Sequence, residues 1–190
     1  MKQQPIIQTV DQVRAILDGR RTQFRVPIKF PLYSLNDGYK RRVYTESDIP
    51  LVSELLKARQ KPYNLRMCPF GQIGDKLYVK EEHYINPSDG AIAYRADGEM
   101  PHHMVDDRWL CATRMSRYAS RLTLEITRLR VERLRQVTHT DISAEGTIPL
   151  VGNYMGSYRE EWDKNHRKGQ KWSDNPWVWV VDFKIGEVRK

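Results

Sequence analysis

The sequence predicts an α+β fold: a small mixed β-barrel with flanking helices and an inserted hairpin and helix. Three observations carry this. Short runs with two-residue apolar alternation recur along the chain, separated by Gly, Pro, Asn and Asp. Helical periodicity is confined to a few short stretches, the clearest near the N-terminus. A hydrophobic run, Trp177 to Phe183, closes the chain. Short strands broken by turns, with few helices, suit a closed or partly closed barrel. The 190 residues are enough for one hydrophobic core with room for insertions. The expectation is one domain over residues 1–190.

The first helix is marked by a capping box, Thr9 with Gln12, ahead of Val10, Val13, Ile16 and Leu17 at helical spacing. Gly19 supplies a left-handed stop. Gln23 to Lys29 then reads as a strand, with Phe24, Val26 and Ile28 on one side and Gln23, Arg25 and Pro27 on the other. Pro27 marks a strand end or an edge. Asn36-Asp37-Gly38 reads as the turn of a hairpin between Leu32–Leu35 and Tyr39–Tyr44. Ser47 caps a short helix with Pro50 in its first turn and Ile49, Val52, Leu55 and Leu56 inward. Residues 31–66 are taken as the insertion.

Cys68 to Asp75 is rich in turn signals and delivers a strand over Lys76–Glu81, where Leu77 and Val79 alternate with Tyr78 and Lys80. Residues 84–120 read as a long irregular loop with a short strand at Ala91–Arg95. Leu and Arg are good helix formers, so a helix over 122–135 competes. Strict alternation through residues 121–127 decides for a strand running to about Arg133. A short turn or helix opens at Asp141 and is stopped by Gly146; a second helix spans Tyr154–Asp163. In the last strand Trp177 and Trp179 share one face and Val178 and Val180 the other, which predicts a central position.

The net charge of +8 favours polyanionic partners. Basic residues cluster at Arg20, Arg21 and Arg25, at Lys40, Arg41 and Arg42, at Arg114, Arg117 and Arg121, and from Arg128 to Arg135. Such runs are read either as solvated faces or as phosphate-facing surfaces. No stretch reaches the ~20 apolar residues of a membrane span, and the first residues lack a secretory apolar region. A cytoplasmic location is expected. Cys68 and Cys111 form no Cys-x-x-Cys pair and are expected as reduced thiols. With His83, His102 and His103 they lack the local spacing of structural zinc sites, so no metal and no cofactor is expected. Nucleotide-loop, dinucleotide and His-Glu-x-x-His motifs are absent.

Several ordered motifs resemble one family. The run Val13–Gln23 (VRAILDGRRTQ) resembles the LLxGRKTQTRR opening of ASCH-like proteins found in phages and prophages. Cys68–Gly71 (CPFG), Gly74–Glu81 (GDKLYVKE) and Tyr94–Gly98 (YRADG) have similar counterparts there. So do Arg117–Glu125 (RYASRLTLE), Ala144–Gly146 (AEG) and Asn175–Trp179 (NPWVW). The resemblance implies a PUA-like β-barrel, a fold associated with RNA binding and modified-base recognition. It also implies a prophage-type protein. One branch of the family hydrolyses N4-acetylcytidine to cytidine and acetate with a lysine, a threonine and a glutamate. By motif those positions are Arg21, Phe24 and Glu145 here, and only the glutamate matches. Arginine does not give up its proton to act as a base, and Phe24 has no hydroxyl. Thr22 stands two residues away.

Three function readings follow. The first is binding of RNA, single-stranded nucleic acid or a modified nucleoside in a basic barrel cleft. Arg20, Arg21 and Arg25 stand at its mouth, and Glu145 accepts from an exocyclic amine. An Arg21–Glu145 ion pair is the structural alternative. Tyr78, Lys80, Glu81, Tyr84 and Tyr94 would add aromatic faces beside charges, or Tyr78 would simply lie under the long loop. Arg114, Arg117 and Arg121, with Tyr118, would track a backbone. The second reading is an amidohydrolase on an acylated nucleobase, using Glu145 with Thr22 or Lys80. The third is a phage accessory protein that binds a host protein.

Overall fold

Apolar alternation organises the chain into a five-stranded sheet with helices on both faces. The computed structural model describes residues 3–30, 32–36, 40–57, 68–98, 108–147 and 153–189. Its strands are β1 (Gln3–Ile7), β2 (Gln23–Pro27), β3 (Leu32–Asn36), β4 (Lys40–Tyr44), β5 (Lys76–Lys80), β6 (His83–Ile85), β7 (Ile92–Tyr94), β8 (Leu122–Arg133) and β9 (Trp177–Val188). Its helices are α1 (Val10–Leu17), α2 (Ile49–Lys57), α3 (His139–Ala144) and α4 (Tyr154–Asn165).

The main sheet has the order β1-β5-β8-β9-β2. β1 runs parallel to β5, and the other neighbours are antiparallel. β8 and β9, each of 12 residues, form its spine. Register shifts near Thr123 and between Ile126 and Arg128 interrupt their ladder; such irregularities bend a strand pair and raise its twist.

One face of the sheet carries Phe24, Leu77, Leu124, Val131, Trp179 and Phe183, packed with Val13 and Ile16 of α1 and with Ile49 and Val52 of α2. The α1 capping box is present, with both Thr9 and Gln12 engaged. The opposite face carries Val178 and Val180, covered by Ile142 of α3 and by Tyr158 and Trp162 of α4. The alternation in β9 therefore serves two cores, as expected of a strand flanked on both sides.

Three expectations change, and one holds in part. The sheet does not close into a barrel: among the described residues β1 and β2 are its two edges, with no ladder between them. Each edge strand contains a proline, Pro5 or Pro27, which has no N–H to offer a neighbour. β1 itself was not foreseen. The hairpin expected within residues 31–66 exists as β3 and β4, but its turn at 37–39 and the side chains of Leu55 and Leu56 lie outside the described residues. The supposed loop at 84–120 contains the β6–β7 hairpin and short helical turns at 95–97 and 112–114. Residues 99–107, including His102 and His103, lie outside the described residues. No described helix is long and apolar enough to cross a membrane.

Trp179 is 1% exposed at the centre of the larger core. Trp179→Ala is expected to cost about 3–5 kcal/mol in urea unfolding. Ile185→Ala, further along the same strand and 39% exposed, should cost far less, about 1 kcal/mol or below.

Candidate functional site

Alternation in β2 and β8 places Gln23, Arg25, Arg130 and Glu132 on the face covered by α3 and α4, beside Val178 and Val180. The Arg25 side chain is fully buried. Its Nη2 donates to Glu132 Oε1 at 2.6 Å and lies 3.2 Å from Asp141 Oδ2, and its Nη1 donates to Glu145 Oε1. Arg130 binds Glu132 Oε2 at 2.8 Å, Asp141 Oδ1 at 2.7 Å and Gln23 Oε1 at 2.7 Å. Tyr158 Oη donates to the Glu145 carboxylate at 3.2 Å.

Burial works against the charge on Arg25, but Glu145, together with Glu132, more than offsets it and holds the guanidinium protonated. Burial raises the Glu145 carboxyl against the pull of Arg25 and Arg21, and burial beside Glu145 raises Tyr158. Burial also works to raise Asp141, but the Thr138 hydroxyl and N–H, with Arg130 and Arg25, bring it well below the usual carboxylate range.

Glu145 caps α3, and Gly146 follows at φ +75°. A Cβ at Gly146 would meet Ala15 Cβ and Arg21 Cβ at 3.0 Å, so this close approach needs glycine. The turn pairs with the residues after α1: Thr22 N–H donates to Ala144 O at 2.8 Å, and Arg21 Nη1 donates to Glu145 O. Arg21 thus meets Glu145 through its backbone carbonyl, and the Arg21–Glu145 ion pair offered as the alternative is not formed. The carboxylate itself belongs to Arg25.

Between the sheet edges lies a cavity of about 470 Å³. Ile6 and Gln8 line it from β1 and just beyond, and Phe24 and Arg25 from β2. Arg21, Phe70, Lys80 and Thr113 also contribute, and among the described residues the lining includes no carboxylate. Phe24 and Phe70 meet edge to face with centroids 5.1 Å apart. Lys80 Nζ donates to Thr113 O at 2.6 Å. Gln8 is 4% exposed, and its Oε1 has no hydrogen-bond partner among the described residues. The same holds for Nε of Arg21 and of Arg25.

Of the residues expected at a site, the cavity gathers Arg21, Arg25 and Lys80. Arg20 is exposed and pairs with Asp18 at 2.9 Å. Thr22 is exposed, outside the cavity, and its role is in the backbone. Glu145 lies behind Arg25, not at a mouth. Glu81 and Arg121 form a bidentate pair at 3.0 and 3.1 Å. Arg121 also reaches Asp97 at 2.8 Å and lies over the Tyr94 ring at 4.0 Å. This cluster ties β5 to the loop segments around it. Arg117 lies over Tyr78 at 5.4 Å, while Arg114, Arg117 and Tyr118 are exposed. Gln8, Phe70, Thr113 and Arg130 were not foreseen. Arg130 had a signal: it alternates with Leu129 and Val131, so it shares a strand face with Glu132 rather than with solvent alone. Cys68 is buried, which pushes its thiol up to about 11, and Cys111 is exposed; both are free. No described group of His, Cys, Asp and Glu is placed to hold a metal.

These features define an α+β protein with an open, edge-lined cleft backed by a buried ionic network. No protein-family model matches the sequence, and no curated protein matches it. Among solved structures, the chain is similar to a protein of Enterococcus faecalis V583 described under family DUF984, at 8% identity and TM-score 0.47, covering 100% of this chain and 84% of that one. It is also similar to the ASCH domain from Lactobacillus crispatus JV V101, at 12% identity and TM-score 0.43, covering 97% of this chain and 79% of that one.

The Asp141 carboxyl is depressed in the folded state, so its ionised form adds stability above pH ~4, and that stability fades as pH falls below this. Asp141→Asn is therefore expected to lower unfolding free energy by about 2 kcal/mol at neutral pH. The gap to the parent should narrow on titration toward pH ~3. A gap that stays constant across that range would contradict an ionised Asp141 in the network.

Proposed function

We propose that the chain binds single-stranded nucleic acid, RNA foremost, by taking one base, modified or not, into the cleft between β1 and β2. The observation that carries this reading is the cavity itself. Its ~470 Å³ lies within the ~300–1,000 Å³ typical of small-ligand sites. Its lining combines aromatic rings, the Arg21 guanidinium and the Lys80 ammonium group with a buried, unpartnered amide oxygen. An unpaired buried acceptor costs about 1–3 kcal/mol, a penalty that a ligand N–H would remove. The +8 charge favours the same partner, as does the ASCH resemblance of the sequence motifs. Exposed Arg114, Arg117 and Tyr118 follow Thr113 out of the cavity wall and suit the flanking backbone and a stacked base.

Binding fits this geometry better than hydrolysis. The Glu145 carboxylate is engaged by Arg25 and Tyr158 and does not line the cavity. Thr22 is outside it, and Arg21 holds its proton. Lys80 alone among the expected catalytic residues faces the ligand space.

Fluorescence anisotropy with a labelled mixed-sequence RNA ten-mer tests the reading. Binding is expected at ~50 mM salt and should weaken steeply by ~200 mM. Lys80→Ala with Arg117→Ala should weaken it roughly tenfold or more. N4-Acetylcytidine should remain intact by chromatography. Failure of RNA, single-stranded DNA and nucleosides alike to bind would overturn the proposal, and release of cytidine would favour the amidohydrolase.

A further inference from the structure

We infer that the cavity selects a nucleotide rather than a nucleoside, with Arg21 and Lys80 forming a subsite for its phosphate. This rests on the nucleic-acid reading above and adds the ligand's charge to it.

The inference comes from comparing how the cations are neutralised. Arg25, Arg121 and Arg130, each buried or half-buried, all meet carboxylates. Arg21 and Lys80 differ. The partners of their charged ends among the described residues are backbone carbonyls, Glu145 O for Arg21 and Thr113 O for Lys80. A carbonyl satisfies one N–H but does not neutralise a charge. Glu145 and Glu161 act on Arg21 through space, yet the Glu145 carboxylate touches Arg25 instead. Burial is the main influence on the Arg21 guanidinium and disfavours its charged form. An arginine nonetheless stays charged.

Both cations line one cavity whose described lining contains no carboxylate. The buried Nε of Arg21 has no partner among the described residues. An anion in the cavity would accept from Lys80, lie beside the Arg21 guanidinium and supply the missing counter-charge. A phosphate does this; a neutral nucleoside does not. The remaining lining is suited to the base. Ile6, Phe24 and Phe70 offer apolar and aromatic surface, and Gln8 Oε1 is a buried acceptor for a ring N–H or exocyclic amine. Base and phosphate chemistry therefore meet in one cleft, which suits a single nucleotide unit, free or within a strand.

Calorimetric titration of the full chain with the four ribonucleosides, their 5′-monophosphates and inorganic phosphate tests this. At least one monophosphate should bind about tenfold or more tightly than its nucleoside, and more tightly than inorganic phosphate. Lys80→Gln should collapse that preference to within about threefold; Arg21→Gln should do the same if it folds. The Lys80 variant suffices because its side chain bonds only a loop carbonyl. A pUpU-type dinucleotide then separates the sources: binding equal to or tighter than the monophosphate assigns the subsite to a strand, and weaker binding assigns it to a free nucleotide. Nucleosides binding as tightly as monophosphates would overturn the phosphate subsite while leaving the base pocket standing. An undiminished preference in Lys80→Gln would also overturn it. Failure of every nucleoside and nucleotide to bind would overturn the pocket reading as well.

Discussion

A guanidinium sealed from water imposes conditions on everything around it. Arg25 projects from an edge strand into the space beneath α3 and α4, where an uncompensated charge would cost several kcal/mol. Compensation comes from Glu132 on β8 and from Asp141 and Glu145 on α3. Arg130 then shares Glu132 and Asp141, so positive and negative groups alternate across the sheet. Apolar packing alone would let α3 slide on Val178 and Val180. The ionic network is satisfied by one docking of α3, because only that one brings both acidic side chains to Arg25. Its contribution is orientation, more than net stability.

That orientation reaches the cleft. With Glu145 held by Arg25, the Gly146 turn lies against Ala15 and Arg21, and the Arg21 guanidinium is fixed by the Glu145 carbonyl. Arg21 then faces the space between β1 and β2. The space exists because the sheet is open: each edge strand carries a proline, and no ladder joins them. An open edge would ordinarily invite pairing with another chain. Here the edge residues line an open cleft to which Lys80 and Thr113, joined to each other, also contribute.

Much of this was readable from local pattern. The capping box at Thr9 and Gln12 defines α1, and alternation through 121–127 defines β8 against a competing helical reading. The apolar run from Trp177 is β9, flanked on both sides. Gln23 and Arg25 were already set opposite Phe24 and Val26, which is the division between network and larger core. What escaped was non-local. β1 is too short to show a period and gains its strand identity from pairing parallel to β5. The contest between Arg21 and Arg25 for Glu145 depends on how a helix docks, which spacing does not encode. Tyr94, Glu81 and Arg121 look like a ligand site in sequence because a cation, a carboxylate and an aromatic ring suit a base as well as they suit one another. In the fold they satisfy one another.

Arg21 and Arg25 lie in one short stretch and line one cavity, yet their electrostatic situations are opposite. Arg25 faces three carboxylates, and its charge is spent within the protein. Arg21 has a carbonyl, and its field extends into the cavity alongside that of Lys80. A residue that must accept a proton during hydrolysis needs a free lone pair facing the substrate. Guanidinium groups have none, and the Glu145 lone pairs are already directed at Arg25 and Tyr158. A residue that must hold an anion needs a charge that no carboxylate touches, and among the described residues the Arg21 guanidinium meets only the Glu145 carbonyl. The same buried network that keeps the Glu145 carboxylate out of the cleft fixes Arg21 at its wall, and this division is what the proposed binding role rests on.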